Sequence, residues 1–102
     1  CPLSPLRPAR EVTDPGSLLL RTRLNGELMQ ESSTSLMLFS VARLVADLSR
    51  GTTLLPGTLI LTGTPSGVGA ARTPPRFLKD GDVVEVEVTG VGLIRNRVRE
   101  EP

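Results

Sequence analysis

Histidine, tryptophan and tyrosine are absent from this sequence, and Phe39 and Phe77 are its whole aromatic content. Without histidine, imidazole-based zinc sites and Ser-His-Asp or Cys-His catalysis are excluded within the chain. The lone cysteine, Cys1, cannot form an internal disulfide, so this is not the composition of a stapled secreted domain. With no histidine to activate it, Cys1 is given no catalytic role. An excess of charge is lacking too: 12 basic and 11 acidic residues leave a net charge of +1. That balance gives no electrostatic case for nucleic acid or an anionic membrane, and two phenylalanines offer few platforms for stacking bases. The apolar runs fall far short of the roughly 18 residues of a membrane span. No secretory signal pattern is seen, so the expected setting is intracellular, cytoplasmic or mitochondrial.

What is present is 102 residues, 38% hydrophobic, the size of one domain. A domain this long is expected to bury roughly two-thirds of the surface its unfolded chain exposes. The core must then be aliphatic, mostly Leu and Val. Ten glycines and nine prolines exceed the average share of about 12%, so much of the chain is spent on turns and shaped loops. The first residue is Cys1 with no initiator Met, which leaves a processed N-terminus or a piece of a longer chain, the second being the expectation.

Residues 1–17 carry Pro2, Pro5, Pro8, Pro15 and Gly16, which predicts an extended, turn-containing lead-in. Residues 18–24 alternate: Leu18, Leu20, Thr22 and Leu24 face one way, Leu19, Arg21 and Arg23 the other, as in a strand. Asn25-Gly26 then tolerates the positive φ of a tight hairpin turn, and residues 27–31 return as the second strand. Over residues 35–50 the period changes to about 3.6. Met37, Val41, Leu44, Val45 and Leu48 form one stripe of an amphipathic helix expected to pack on its own sheet. Ser33, Thr34 or Ser35 can cap its start and Gly51 its end.

Leu55-Pro56-Gly57 turns into a short apolar strand over residues 58–61. An irregular stretch follows over residues 62–76, longer than most structureless loops of compact domains. Residues 83–88 alternate valines with Glu85 and Glu87, and residues 93–98 form another candidate strand. The fold class is therefore mainly β with one main helix (α+β).

Thr62-Gly63-Thr64-Pro65-Ser66-Gly67-Val68-Gly69 leaves an apolar strand and offers three hydroxyls among three glycines. Glycines admit backbone N–H groups close to an anion, and hydroxyls donate to carboxylate or carbonyl oxygens. The segment is neither a Walker loop nor a dinucleotide fingerprint, since the required lysine and spacing are missing. Composition alone leaves an anion- or substrate-binding loop and a structural glycine turn both open. Glu85 and Glu87 share a strand face and could ligate a metal jointly, but they also read as the wet side of an alternating strand.

Leu24-Asn25-Gly26-Glu27 with Gln30, Thr34-Ser35 and Met37-Leu38-Phe39-Ser40 open an ordered series of motifs. Leu55-Pro56-Gly57, Ile60-Leu61-Thr62-Gly63-Thr64-Pro65, Gly67-Val68-Gly69 and Phe77-Leu78-Lys79-Asp80-Gly81-Asp82 continue it, ending with Gly92 and Asn96. In this order and spacing the chain resembles the C-terminal half of the fumarylacetoacetate hydrolase family. Arg72-Thr73-Pro74-Pro75 before Phe77 is similar to the domain-containing protein 2 subgroup of that family, and Cys1-Pro2-Leu3-Ser4-Pro5 also matches. The resemblance implies that residues 1–102 are part of a β-roll or mixed β-sandwich, in a homodimer. It implies a divalent ion, Mg²⁺ or else Mn²⁺ or Ca²⁺, held by three acidic residues. The implied substrates are small 2-oxo or 1,3-dicarbonyl acids, undergoing C–C hydrolysis, decarboxylation or isomerisation.

By the same resemblance Thr64 is the substrate-binding threonine, with Gly63 and Thr62 beside it and Pro65, Gly67 and Gly69 supporting the loop. The family's Glu-x-Glu metal pair, third acidic ligand and active-site lysine precede the segment that matches Cys1. Hence no catalytic residue and no metal ligand is assigned in this chain, and alone it is expected to bind no metal and to be inactive. A missing N-terminal portion is the implied partner. Ser4 and Thr58 also replace a usual glycine and aspartate. The alternative is a β-rich interaction module that keeps the fold without the metal site.

Overall fold

The computed structural model describes residues 1–101. Its frame is one antiparallel four-stranded sheet, β1 (Leu19–Leu24), β2 (Glu27–Ser33), β3 (Val83–Val88) and β4 (Gly92–Arg97), in the order β2-β1-β3-β4. The predicted hairpin is present, with Asn25 at φ 51° and Gly26 at φ 85°. The Asn25 side chain ties that turn to the start of β3. Its Nδ2 donates to Asp82 Oδ1 at 2.8 Å, while its Oδ1 accepts from the Val83 amide at 2.8 Å.

Register follows from period-two alternation. Leu20, Thr22 and Leu24 stand opposite Val88, Val86 and Val84, which in turn meet Gly92, Ile94 and Asn96 of β4. The other face is charged. There Arg21 pairs with Glu31 at 2.6 Å, Arg23 with Glu87 at 3.0 Å and Arg95 with Glu85 at 3.5 Å. Glu85 and Glu87 are thus tied to arginines on the sheet face opposite Leu20. On the β2 side the register slips between Thr22 and Arg23, and Thr22 meets Gln30 just before the slip.

The helix is shorter than its apolar period suggests. Ser33 Oγ accepts from the Ser35 amide and closes a 3-10 turn over Thr34–Leu36, after which Met37 is extended. Helix α1 (Val41–Leu48) begins only where Ser40 Oγ caps the Arg43 amide at 3.2 Å. It ends at Ser49, in right-handed conformation, with no left-handed glycine at Gly51. Nor does α1 bury its stripe, since Val41, Val45 and Leu48 stay 39%, 43% and 45% exposed. Residues 58–61 form no ladder among the described residues, so the expected short strand is absent. A strand needs a neighbour to take its amides and carbonyls, and none of the four strands pairs with it.

Leu24, 5% exposed, is the one buried hydrophobic residue among those described. The accessible surface is 8096 Å², against about 5,600 Å² expected for a compact monomer of this mass. The radius of gyration, 15.5 Å, likewise exceeds the roughly 13 Å of a compact chain. The expectation of a domain-sized core therefore fails. The sheet is well formed, but most of its apolar surroundings are not closed by this chain.

Candidate functional site

A groove of about 730 Å³ opens beside β1 and the end of β2. Leu20, Leu44, Leu48 and Ile60 supply apolar wall, and Met37, Leu38 and Phe39 a rim. The predicted loop forms the polar side: Thr62, Gly63, Thr64, Pro65 and Ser66 all line the groove. Ser33 and Thr34 line it too, and each accepts a backbone hydrogen bond. Ser33 Oγ caps the Ser35 amide and Thr34 Oγ1 accepts from the Leu18 amide at 2.9 Å.

No backbone N–H of residues 62–64 donates within the described residues. The residues that carry these amides and the Thr64 hydroxyl line the groove, so neutral donors are gathered at its polar side. Such donors suit a carboxylate or enolate oxygen. The groove carries no charge, because none of its lining residues is titratable. It can orient an oxygen-rich ligand by hydrogen bonds; it brings no acid or base of its own.

Gly67 and Gly69 do not line the groove; they let the loop approach its supports. At Gly67, with φ 100°, a Cβ would collide with the Met29 carbonyl oxygen of β2, and at Gly69 with the Arg76 carbonyl oxygen. Two side chains then hold the loop down. Gln30 Nε2 donates to Thr64 Oγ1 at 3.0 Å and to the Pro65 carbonyl at 2.9 Å, with Ser66 O at 3.4 Å. Arg72 donates from Nη2 to Met29 O at 2.6 Å and from Nε to Gly67 O at 3.2 Å.

Gln30 and Arg72 stand in the sequence as motif residues of the resemblance, with no role assigned to either. A signal existed for Gln30. The hairpin register opposes it to Thr22, on the face of Leu20 and Leu24, where a carboxamide needs a partner. Arg72 offers no comparable local sign, because its acceptor, Met29 O, lies 43 residues away.

A metal centre does not fit these residues. Among the described residues no group of three or more His, Cys, Asp or Glu side chains could hold an ion. Asp82 accepts from Asn25 and the Lys79 amide, and Asp80 Oδ1 from the Glu100 amide at 3.0 Å. These carboxylates serve turns.

Residues 1–99 match the family model described as fumarylacetoacetate hydrolase, C-terminal. The chain belongs to the fumarylacetoacetate hydrolase family. Over 99 residues it is 48% identical to oxaloacetate tautomerase FAHD2B, mitochondrial, of Bos taurus, covering 96% of this chain and 32% of that protein. It is 42% identical to oxaloacetate tautomerase YisK of Bacillus subtilis, covering 96% of this chain and 33% of that protein. Among solved structures it matches the fumarylacetoacetate hydrolase of Exiguobacterium antarcticum with a TM-score of 0.85 and 46% identity, over 90% of this chain and 33% of that one. Maleylpyruvate hydrolase of Sphingobium sp. SYK-6, solved with manganese(II) and pyruvate, matches with a TM-score of 0.82 and 32% identity, over 92% and 33% of the two chains. The chain thus spans about a third of the length of the relatives it matches. The open surroundings of the fumarylacetoacetate hydrolase-type sheet accord with that share.

Proposed function

We propose that this chain supplies the substrate loop of a divalent-metal-dependent enzyme acting on small 2-oxo or 1,3-dicarbonyl acids. The observation that carries the reading is the neutral donor wall. Thr64 lines the groove next to residues whose amides make no hydrogen bond among the described residues, on a loop pinned to β2 by Gln30 and Arg72. Thr64 donates to a carboxylate or carbonyl oxygen of the substrate, Gly63 and Thr62 shape the wall beside it, and Pro65, Gly67 and Gly69 fix the loop's course. The tautomerase names of the Bos taurus and Bacillus subtilis relatives and the pyruvate in the Sphingobium structure support this substrate class. Oxaloacetate is itself a 2-oxo dicarboxylic acid.

Metal binding and proton transfer belong, in this reading, to groups outside residues 1–102; among the described residues no three or more possible metal ligands are gathered. In this reading a further polypeptide portion packs against the groove, and two copies assemble. On the same reading the setting is intracellular, cytoplasmic or mitochondrial; the name of the Bos taurus relative carries the mitochondrial label.

The test replaces the matching 99-residue stretch of the Bos taurus relative with this chain. The chimera is expected to tautomerise oxaloacetate, and Thr64→Ala to lower kcat/KM about tenfold, the worth of one hydrogen bond to a charged oxygen. Unchanged kinetics in the Thr64→Ala chimera would remove the loop from the site.

A further inference from the structure

We propose that Gln30 is a positioning residue for the substrate loop, setting the Thr64 hydroxyl as a donor to bound ligand. The proposal rests on the reading of Thr64 just given. It starts from hydrogen-bond chemistry. Gln30 Nε2 lies 2.9 Å from the Pro65 carbonyl oxygen and 3.4 Å from that of Ser66. Carbonyl oxygens only accept, so the NH₂ end of the carboxamide must face the loop. Turned the other way, the Gln30 oxygen would oppose two acceptors.

With the NH₂ end fixed, its 3.0 Å contact to Thr64 Oγ1 has a fixed direction as well. Gln30 donates and Thr64 accepts. A hydroxyl has one hydrogen and two lone pairs, so a bond accepted from Gln30 leaves that hydrogen unspent. Thr64 donates to no acceptor among the described residues, and it lines the groove. Its hydrogen is therefore available to a ligand oxygen. If Thr64 had faced a carboxylate or carbonyl here, its hydrogen would have been consumed within the protein.

The position of Gln30 is itself secured. It is opposite Thr22 at the register slip of the hairpin, and the adjacent Met29 carbonyl is held by Arg72 at 2.6 Å. The polarity of Thr64 is thus set from β2, a strand of the sheet, and not from the loop.

The test is a double-mutant cycle in the Bos taurus chimera, reading kcat/KM on oxaloacetate and the dissociation constant of oxalate. Gln30→Met keeps the length of the side chain without its donors, and Gln30→Glu keeps its shape but only accepts. Each is made alone and combined with Thr64→Ala, with melting temperature followed throughout. If Gln30 works through Thr64, either single change costs about as much as Thr64→Ala, and the double variant loses no more than about threefold beyond Thr64→Ala alone. Where Gln30→Met does not fold, Gln30→Glu gives the reading.

Gln30 variants within about twofold of the parent overturn the proposal while leaving Thr64 in the site. An equal loss on both Thr64 and Thr64→Ala backgrounds overturns it too, since the effect is then on loop stability alone. A Thr64→Ala variant with full activity overturns the functional reading and this one with it.

Discussion

Asn25 serves two neighbours at once, and the consequence is electrostatic. Its side chain donates to Asp82, whose other oxygen accepts from the Lys79 amide at 3.0 Å. The Asn25 hydrogen bond, then the Lys79 amide, and more weakly the charges of Arg76 and Lys79 hold the Asp82 carboxyl below its ordinary value of 3.8. A depressed carboxyl pKa stabilises the folded state fully above 3.8, and that contribution is lost as pH falls through the lowered value. Carbon-detected titration is expected to place the Asp82 midpoint below 3.8, and Asn25→Gly, which keeps the turn's positive φ, to raise it. Glycines at the loop give a second test. Gly67→Ala meets both a left-handed φ of 100° and the Met29 carbonyl oxygen, and is expected to cost about 1–3 kcal/mol. Gly51→Ala meets open space and is expected to stay within about 0.5–1 kcal/mol of the parent. Urea midpoints of the two chimeric variants separate these cases.

At the scale of elements, the strands were legible because period-two patterns and the Asn25-Gly26 turn are local. The β1–β2 hairpin and the β3 alternation stand where their residues predict them. The helix was legible as a stripe but not in length. Two serine caps compete upstream, and the extended Met37 falls between them. The loop was legible as glycines and hydroxyls, whereas its anchoring by Gln30 and Arg72 depends on pairings more than 30 residues apart. The same distinction predicts dynamics. β1 has ladders on both sides and β3 likewise, while α1 is eight residues long with three of its four stripe residues exposed. Helices this short are marginal without packing. Amide exchange in the 102-residue chain should be slowest in β1 and β3 and fast throughout α1. Protection in α1 equal to that in β1 would contradict the packing described.

For the whole molecule, length and composition suggested a closed aliphatic domain, and the geometry shows an open one. Leu38 at 95% exposure and Leu6 at 87% stand for a surface that residues 1–101 do not cover. Composition counts apolar residues but does not say what they lie against. The absence of histidine, in contrast, agrees with a groove that has no titratable lining residue. On this account the chain orients substrate and leaves the metal to other groups. Isothermal titration with Mg²⁺ and oxalate tests that division most directly. The 102-residue chain alone should show no metal-dependent binding of oxalate, and the Bos taurus chimera should bind it stoichiometrically only when Mg²⁺ is present. Tight, stoichiometric, Mg²⁺-dependent binding by the isolated chain would contradict the account.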